Sequence, residues 1–176
     1  AYKMVSTLDG LRTETTYNEC CGLPIFIKRG SEETTFAYDT KGRVTKKTTP
    51  NEVTELSYDA KVGKVNRVVK YQKANKKRAE WSTFQYDGRG NLVVAKNSAN
   101  AGVRLFYDGQ GRIRSMLDQN KRQINFKYNE NSKPVEISDP KMGSIVVSYS
   151  NSGEVKKVDS SGGRKIALAV TSSFQN

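Results

Sequence analysis

The chain has no histidine and only two cysteines, which lie side by side as Cys20 and Cys21. Without histidine, the sequence cannot supply Ser-His-Asp or Cys-His catalytic groups or histidine-ligated metal sites. Two thiols are also too few for a four-thiolate zinc site. Neighbouring Cα atoms lie ~3.8 Å apart, below the usual disulfide span of ~4.4–6.8 Å, so we expect no bond between the two cysteines. These absences predict a protein that is not an enzyme and has no metal site or cofactor.

Long apolar stretches are also missing from the sequence. No run of apolar residues approaches the roughly 18 that a membrane-spanning helix needs, so we expect no membrane span. Hydrophobic residues make up only 35% of the 176 residues, yet nine tyrosines, six phenylalanines and one tryptophan are present. A disordered chain does not usually keep so many aromatic residues. The length then predicts a single folded domain over residues 1–176.

Basic residues outnumber acidic ones by 30 to 18, which gives a net charge of +12. Such a surface favours anionic partners, such as nucleic acid, an acidic glycan or another acidic polymer. The alternative is that single lysines keep a β-sheet soluble and protect its edges. Because the bases are scattered and no RNA-binding motif appears, we rank nucleic acid below the other partners.

Tyrosines mark an internal repeat that runs through most of the chain. Seven of them are separated by 21, 20, 28, 21, 21 and 21 residues, and such a period indicates a repeat architecture. These tyrosines are Tyr17, Tyr38, Tyr58, Tyr86, Tyr107, Tyr128 and Tyr149. Residues 160–176 form a partial last repeat.

Each repeat predicts two strands and two turns. Phe36, Leu56, Phe84, Leu105 and Phe126 stand two residues before a tyrosine, usually with a polar residue between, and this alternation predicts a strand with its tyrosine face buried. An Asp, Asn or Ser follows the tyrosine, and a glycine usually stands four residues after it, as in a tight turn. Cys21 and Ser132 replace that glycine in two repeats. An apolar spacing of three in the next strand predicts a bulge. The fold class is therefore all-β: consecutive antiparallel hairpins in a curved or barrel-like sheet, without helix.

Residues 36–44 and 105–113 share a Tyr-Asp-x-x-Gly-Arg signature followed by an apolar residue, and residues 84–92 differ from it only at the arginine. This signature resembles the YD repeat of the Rhs family, which includes bacterial wall-associated proteins, shell subunits of insecticidal toxin complexes, and teneurins. The resemblance covers about residues 13–170. It implies a spiralling antiparallel sheet and an extracytoplasmic location (periplasmic, secreted or cell surface). Large members have dozens of repeats, so this chain resembles a short member or a fragment.

The 28-residue repeat is the clearest departure from the period. Its extra residues predict a long hairpin that projects beyond its neighbours and concentrates basic and aromatic residues. The candidate ligand-binding residues are Lys70, Tyr71, Lys73, Lys76, Lys77, Arg78 and Trp81. Bases and aromatic rings together can bind acidic polymers through charge and stacking. The alternative is a long, soluble hairpin in which Trp81 covers a core edge.

Three functions remain open from the sequence. The first is a non-catalytic, exported β scaffold that binds a cell-surface or cell-wall glycan, or a protein partner. The second is a fragment of a larger Rhs-type shell that encapsulates the cargo of a toxin-delivery protein. The third is binding of nucleic acid or another polyanion. Residues 166–170 form an apolar edge strand, which we expect either to be covered by the N-terminal segment or to pair with another chain.

Overall fold

Antiparallel β-strands and short turns make up the computed structural model, which describes residues 1–161 and has no helix in that range. The strands are β1 (Tyr2–Leu8), β2 (Leu11–Tyr17), β3 (Pro24–Arg29), β4 (Glu32–Tyr38), β5 (Val44–Thr48), β6 (Glu52–Tyr58), β7 (Val65–Gln72), β8 (Asn75–Tyr86), β9 (Leu92–Asn97), β10 (Gly102–Tyr107), β11 (Ile113–Asp118), β12 (Gln123–Tyr128), β13 (Pro134–Asp139), β14 (Gly143–Tyr149) and β15 (Val155–Ser161). The predicted edge strand 166–170 and most of the partial last repeat lie outside the described residues.

The strands follow one another in the sheet in sequence order, from β1 to β15. Each repeat tyrosine is the last residue of an even-numbered strand, from Tyr17 in β2 to Tyr149 in β14. This arrangement confirms the predicted all-β fold of consecutive hairpins. β1 and β15 are the outer strands of this order.

A β-bulge recurs where the chain leaves the tyrosine turns, in six of the seven repeats. Tyr38 pairs with Val44 whereas Ala37 pairs with Lys46, so Thr45 is an extra residue on β5. The same shift occurs beside Tyr17, Tyr58, Tyr107, Tyr128 and Tyr149. A bulge bends its strand, which explains the apolar spacing of three. The predicted bulge is confirmed.

Burial alternates along the strands that end in tyrosine. Phe36 and Tyr38 are half-buried and Ala37 between them is exposed. In β12, Ile124 and Phe126 are buried whereas Lys127 is exposed. Full burial is rare: the buried apolar residues of the described chain are Val53, Ile124, Phe126, Ile137 and Ile145. The sheet therefore has a definite apolar face, most of which is only partly covered.

The contacts within the chain group it into two compact units. Among the described residues, the first comprises 1–90 and 96–99, and the second comprises 91–95 and 100–161. In the second unit, Ile124, Phe126 and Ile137 form a core. Ile113, Met116 and Tyr128 pack against this core. That the whole chain acts as one domain over 1–176 stays a prediction.

Cys20 and Cys21 are joined by a disulfide, so the expectation of two free thiols is wrong. Both residues lie in the turn between β2 and β3. Successive side chains of a strand point to opposite faces, but a turn does not impose that alternation. The spacing argument from average disulfides did not allow for this local geometry.

Candidate functional site

The residue after each tyrosine caps the turn that follows. In the turn after Tyr38, the amides of Lys41 and Arg43 both donate to Asp39 Oδ1 at 2.9 Å, and Arg43 Nε donates to Oδ2 at 2.8 Å. The Arg43 amide bond makes the largest contribution to the lowered pKa of Asp39, and the Arg43 side chain adds to it. Asp108 has the same bonds to the Gln110 and Arg112 amides and to Arg112 Nε. These carboxylates are therefore committed to holding turns.

Glycine in these turns adopts a left-handed backbone. Gly42 and Gly111 have φ of 78° and 79°, a region that residues with a Cβ adopt only at a cost. Ser132 takes this position with φ 60°, which confirms the prediction for that repeat. In the first repeat, however, Gly22 takes the position with φ 64° and Cys21 does not, because that turn is one residue longer.

The repeat tyrosines are tied to the start of the preceding odd-numbered strand. Six hydroxyls donate to backbone carbonyls at 2.5–2.7 Å: Tyr38 to Pro24, Tyr58 to Val44, Tyr86 to Val65, Tyr107 to Leu92, Tyr128 to Ile113 and Tyr149 to Pro134. Such a bond fixes both the depth and the direction of each ring. The tyrosine series is thus a structural ladder, as the buried-face interpretation predicted.

A basic residue covers the face of several of these rings. Arg43 Cζ lies 4.3 Å from the centroid of Tyr58, and Arg112 Cζ lies 4.6 Å from that of Tyr128. Lys64 covers Tyr86 at 5.8 Å. All these distances fall within the ~6 Å range of a cation–π contact. These contacts were not predicted, although the base after the turn glycine was visible in the sequence.

The same bases also join one turn to the next. Arg43 Nη1 donates to the carbonyl of Gly63 at 3.4 Å, and Lys64 Nζ donates to that of Gly90 at 2.9 Å. Each base therefore bonds to the following turn as well as lying over its tyrosine. Part of the positive charge of the chain is used in these internal contacts and is not free to attract a ligand.

The seven candidate ligand-binding residues lie in the β7–β8 hairpin but do not share one face. Val69 pairs with Trp81, and Lys70 pairs with Glu80. Since paired residues share a face and neighbours alternate, Trp81 and Tyr71 lie on one face and Lys70 lies on the other.

The extra residues of the long repeat are taken up inside β8. Lys70 pairs with Glu80 but Gln72 pairs with Asn75, so the additional β8 residues lie opposite Tyr71. β7 stays paired with β6 to its last residue, Gln72. The Lys73 amide then donates to the Asn51 carbonyl at 2.9 Å. The hairpin therefore ends level with the β5–β6 turn and does not project beyond β6, contrary to the prediction, because a bulge in β8 takes up the extra residues.

The two aromatic residues of the hairpin differ in how open they are. The Tyr71 hydroxyl donates to Glu55 Oε1 at 3.0 Å, and this bond is the main cause of its raised pKa. Lys76 Nζ lies 5.4 Å from the centroid of the Tyr71 ring. Trp81 is held through its backbone, since its carbonyl accepts from the Ser98 amide at 2.8 Å, and 37% of its surface is exposed. Of these two residues, Trp81 is therefore the more exposed.

A groove of about 340 Å³ lies between the last two tyrosine turns of the second unit. Lys133 and Tyr149 line it, together with Asn129, Asn131 and Ser150. The Lys133 amine donates to the Gly153 carbonyl and lies 5.3 Å from the Tyr149 ring centroid. The Lys133 cation therefore stabilises the last tyrosine turn and its ring.

Residues 1–161 contain neither a metal-binding cluster nor a membrane-spanning helix. No group of three or more Cys, Asp or Glu side chains is arranged to hold a metal ion. No helix in that range is long and apolar enough to cross a membrane.

Part of the chain matches a known protein family. The model described as Teneurin YD-shell matches residues 75–164, just over half of the chain. No curated protein matches the chain. The match begins in β8 and covers the repeats of Tyr86, Tyr107, Tyr128 and Tyr149, whereas the complete Tyr-Asp signature at residues 36–44 lies outside it.

Solved structures with a similar fold come from toxin complexes. The crystal structure of TcdB2-TccC3-Cdc42 matches with a TM-score of 0.65 and 10% identity, over 84% of this chain and 8% of the other. The Photorhabdus luminescens Tc holotoxin pore matches with a TM-score of 0.39 and 14% identity, over 86% of this chain and 11% of the other. TcdB2-TccC3-TEV matches with a TM-score of 0.38 and 15% identity, over 89% and 12%. The chain spans about a tenth of the length of these solved chains.

Proposed function

The chain belongs to the Teneurin YD-shell family, and we propose that it forms part of a larger wall of YD repeats that encloses a cargo. The fold supports this proposal, since it matches at a TM-score of 0.65 a chain about ten times longer, in the structure of TcdB2-TccC3-Cdc42. In this role the repeats are structural, and the tyrosine ladder and turn caps keep successive hairpins at a regular spacing.

The observation that carries this proposal is the exposure of the outer strand β1. All seven of its residues are exposed, and Met4 and Leu8 are 59% and 75% exposed. A long apolar edge strand is a template for pairing with another strand. A wall that continues past β1 would cover these side chains and satisfy the free backbone groups.

β1 is built like the inner odd-numbered strands that follow a tyrosine turn. Across the hairpin from Tyr17, the residue that covers its ring is Tyr2, with centroids 5.0 Å apart and ring planes at 15°. Arg43, the residue just before β5, covers the ring of Tyr58 from the corresponding position. Strands β3 and β5 each pair, on their other side, with a strand that ends in tyrosine. The free edge of β1 therefore fits a tyrosine-ended strand of another YD repeat.

A copy of residues 32–42 placed ahead of Tyr2 tests the proposal. This segment contains β4 and the Asp39 turn. We expect it to pair with β1, to slow hydrogen exchange of the β1 amides and to raise the melting temperature by several degrees, at ~2–4 °C per kcal/mol for a chain of this size. The control is the same segment with Phe36 and Tyr38 changed to Ser. Unchanged exchange in β1 would contradict the wall role.

The proposal includes a non-catalytic role and an extracytoplasmic location. Asp39 and Asp108, the carboxylates of the most complete repeats, are bonded within their turns, which leaves them unsuited to acid–base catalysis. The location is supported by the resemblance to exported Rhs proteins. Fractionation of the producing cells with an antibody against the chain would test it.

A second function is binding of a surface ligand by the exposed part of the sheet. It is favoured by the exposed bases of the β7–β8 hairpin, which form no ion pair within residues 1–161. A wall segment can also bind a ligand, so the two functions are compatible. A binding screen against acidic glycans, peptidoglycan and DNA tests it.

A further inference from the structure

The disulfide of the first tyrosine turn joins two adjacent residues on the surface. Cys20 and Cys21 are both exposed, in the turn between β2 and β3. A disulfide stabilises a fold mainly by constraining the unfolded chain, and the effect grows with the length of the loop that the bond closes. Adjacent residues close the shortest loop, so this bond ties no distant parts of the chain together. It is therefore poorly suited to stabilising the fold as a whole.

A second turn of the same length forms without a disulfide. Residues 59–64 lie between two strands just as residues 18–23 do. In each turn the amide of the first residue donates to the carbonyl of the last, at 2.9 Å in the cysteine turn and 2.8 Å in the other. The glycine at the fifth position is left-handed in both, with φ 64° and 75°. Lys61 and Val62 stand at the places of the two cysteines, so the backbone of this turn does not require the bond.

The cysteine turn also lies against the first residue of β1. Tyr2 pairs with Tyr17, the residue before the turn, and their rings stack. Gly22 directly follows the disulfide, and a Cβ added to it would lie 3.4 Å from the Tyr2 hydroxyl. The position of the turn and that of the Tyr2 ring therefore depend on each other.

The side-chain cap of the cysteine turn is weaker than that of its counterpart. Asn18 Oδ1 accepts from the Cys21 amide at 3.3 Å, whereas Asp59 Oδ1 accepts from the Val62 amide at 2.8 Å. Each cap accepts a second amide at 2.9 Å, but the carboxylate is the stronger acceptor because it is charged. The disulfide thus supplies rigidity that the cap does not, and breaking it leaves a looser turn beside Tyr2.

We propose that Cys20 and Cys21 form a thiol–disulfide exchange site, and that its reduction by an external dithiol loosens the start of β1. A thiolate of the dithiol attacks one cysteine sulfur and forms a mixed disulfide, while the other cysteine leaves as a thiolate and takes up a proton. The second thiol of the reductant then attacks its own sulfur in the mixed disulfide and releases the remaining cysteine. The dithiol is oxidised to a disulfide, and the cysteine pair gains its two electrons and two protons.

This site goes beyond the wall role proposed above, although it lies beside the edge strand on which that role rests. Disulfides persist in oxidising compartments and are reduced in the cytosol. The turn is therefore closed in one environment and open in the other, and Tyr2 is held more firmly in the oxidising one.

The experiment uses the full chain, in which these are the only two cysteines. The folded chain is incubated with dithiothreitol, and free thiols are alkylated and counted by mass spectrometry. Hydrogen exchange of residues 2–4 is measured before and after reduction, with β12 of the second unit as an internal control. The matched variant is Cys20→Ser with Cys21→Ser, which imitates the reduced pair and does not respond to the dithiol.

We expect two alkyl groups per chain. Because both cysteines are exposed, they should appear at a rate within about tenfold of that for the chain unfolded in urea. Exchange at residues 2–4 should rise by about threefold or more, as in a local opening, while exchange in β12 stays the same. The serine variant should show the fast exchange with and without dithiol.

Three results would overturn the proposal. Reduction that proceeds only when the whole chain unfolds would mean that the pair is not an accessible exchange site. Unchanged exchange at residues 2–4 after complete reduction would show that the bond does not hold β1. A serine variant that melts more than about 5 °C below the oxidised chain would show that the bond stabilises the whole fold.

Discussion

Replacing Phe126 by alanine removes a large side chain from the core of the second unit. Phe126 is 7% exposed, and it pairs across the sheet with Ile137, which is also buried. Burying roughly 150 Å² of aromatic surface at ~25 cal/mol per Å² stabilises by about 4 kcal/mol. This agrees with the ~3–5 kcal/mol that Phe→Ala changes cost in cores. We therefore expect a loss of about 4 kcal/mol in the free energy of unfolding.

The matched control is Phe106→Ala. Phe106 lies one residue before Tyr107, on the opposite face, and is 38% exposed, so we expect it to lose less than about 1 kcal/mol. Both variants are compared by urea unfolding followed by far-ultraviolet circular dichroism and by calorimetry, where 1 kcal/mol corresponds to ~2–4 °C. A loss below about 1 kcal/mol for Phe126→Ala would show that the tyrosine face is open to solvent and would refute the burial argument.

Three other substitutions test the turns and the ladder. Gly111→Ala should lower the free energy of unfolding by about 1 kcal/mol, because Gly111 has φ 79° and open space around it. Gly109→Ala in the same turn should be neutral, since Gly109 does not have a positive φ. Equal effects of the two substitutions in calorimetry would contradict the backbone argument. Burial raises the pKa of Asp139, but its bonds with Arg122 and two amides outweigh burial and lower it. A lowered carboxyl pKa stabilises the fold above the unfolded pKa of ~3.9, and this contribution is lost as the pH falls through the folded pKa. The Asp139→Asn variant should therefore melt at a lower temperature than the wild type at pH 7. Its melting temperature should also depend less on pH between about pH 5 and pH 3. Tyr128→Phe removes the hydroxyl bond to a backbone carbonyl and should cost about 1 kcal/mol in urea unfolding; no loss would mean that the ladder bonds do not stabilise the sheet.

Much of the fold could be predicted because the same pattern of two strands and two turns recurs in every repeat. The tyrosine phase locates the strand ends, and Phe126 with Tyr128 shows the buried alternation directly. The Asp39 turn follows from two local rules, side-chain capping and the freedom of glycine. Since neighbouring strands lie next to each other in sequence, local pattern and sheet order coincide, and no long-range pairing had to be guessed.

Two wrong predictions, the projecting hairpin and the turn position of Cys21, share a local cause: a residue count does not show how a strand or turn absorbs an extra residue. The long repeat could lengthen its hairpin or bulge, and only the pairing of Lys70 with Glu80 and of Gln72 with Asn75 distinguishes the two. The first turn likewise gained one residue, which moved the left-handed position from Cys21 to Gly22. In both places the register was decided by hydrogen bonds with the adjacent strand, which composition does not reveal.

The basic residues that give the net charge of +12 fall into two sets: those that bond within the repeats and those that do not. Arg43 and Arg112 stand at a fixed place after the turn glycine, and the geometry uses their charge on a carboxylate, a ring and the next turn. A base at that repeat position therefore gives no information about a ligand. Lys77 and Arg78 stand outside the repeat pattern and have no ion-pair partner among residues 1–161. The charge that can select an anionic partner is thus the charge that the repeat does not require, and it is concentrated where the period is broken.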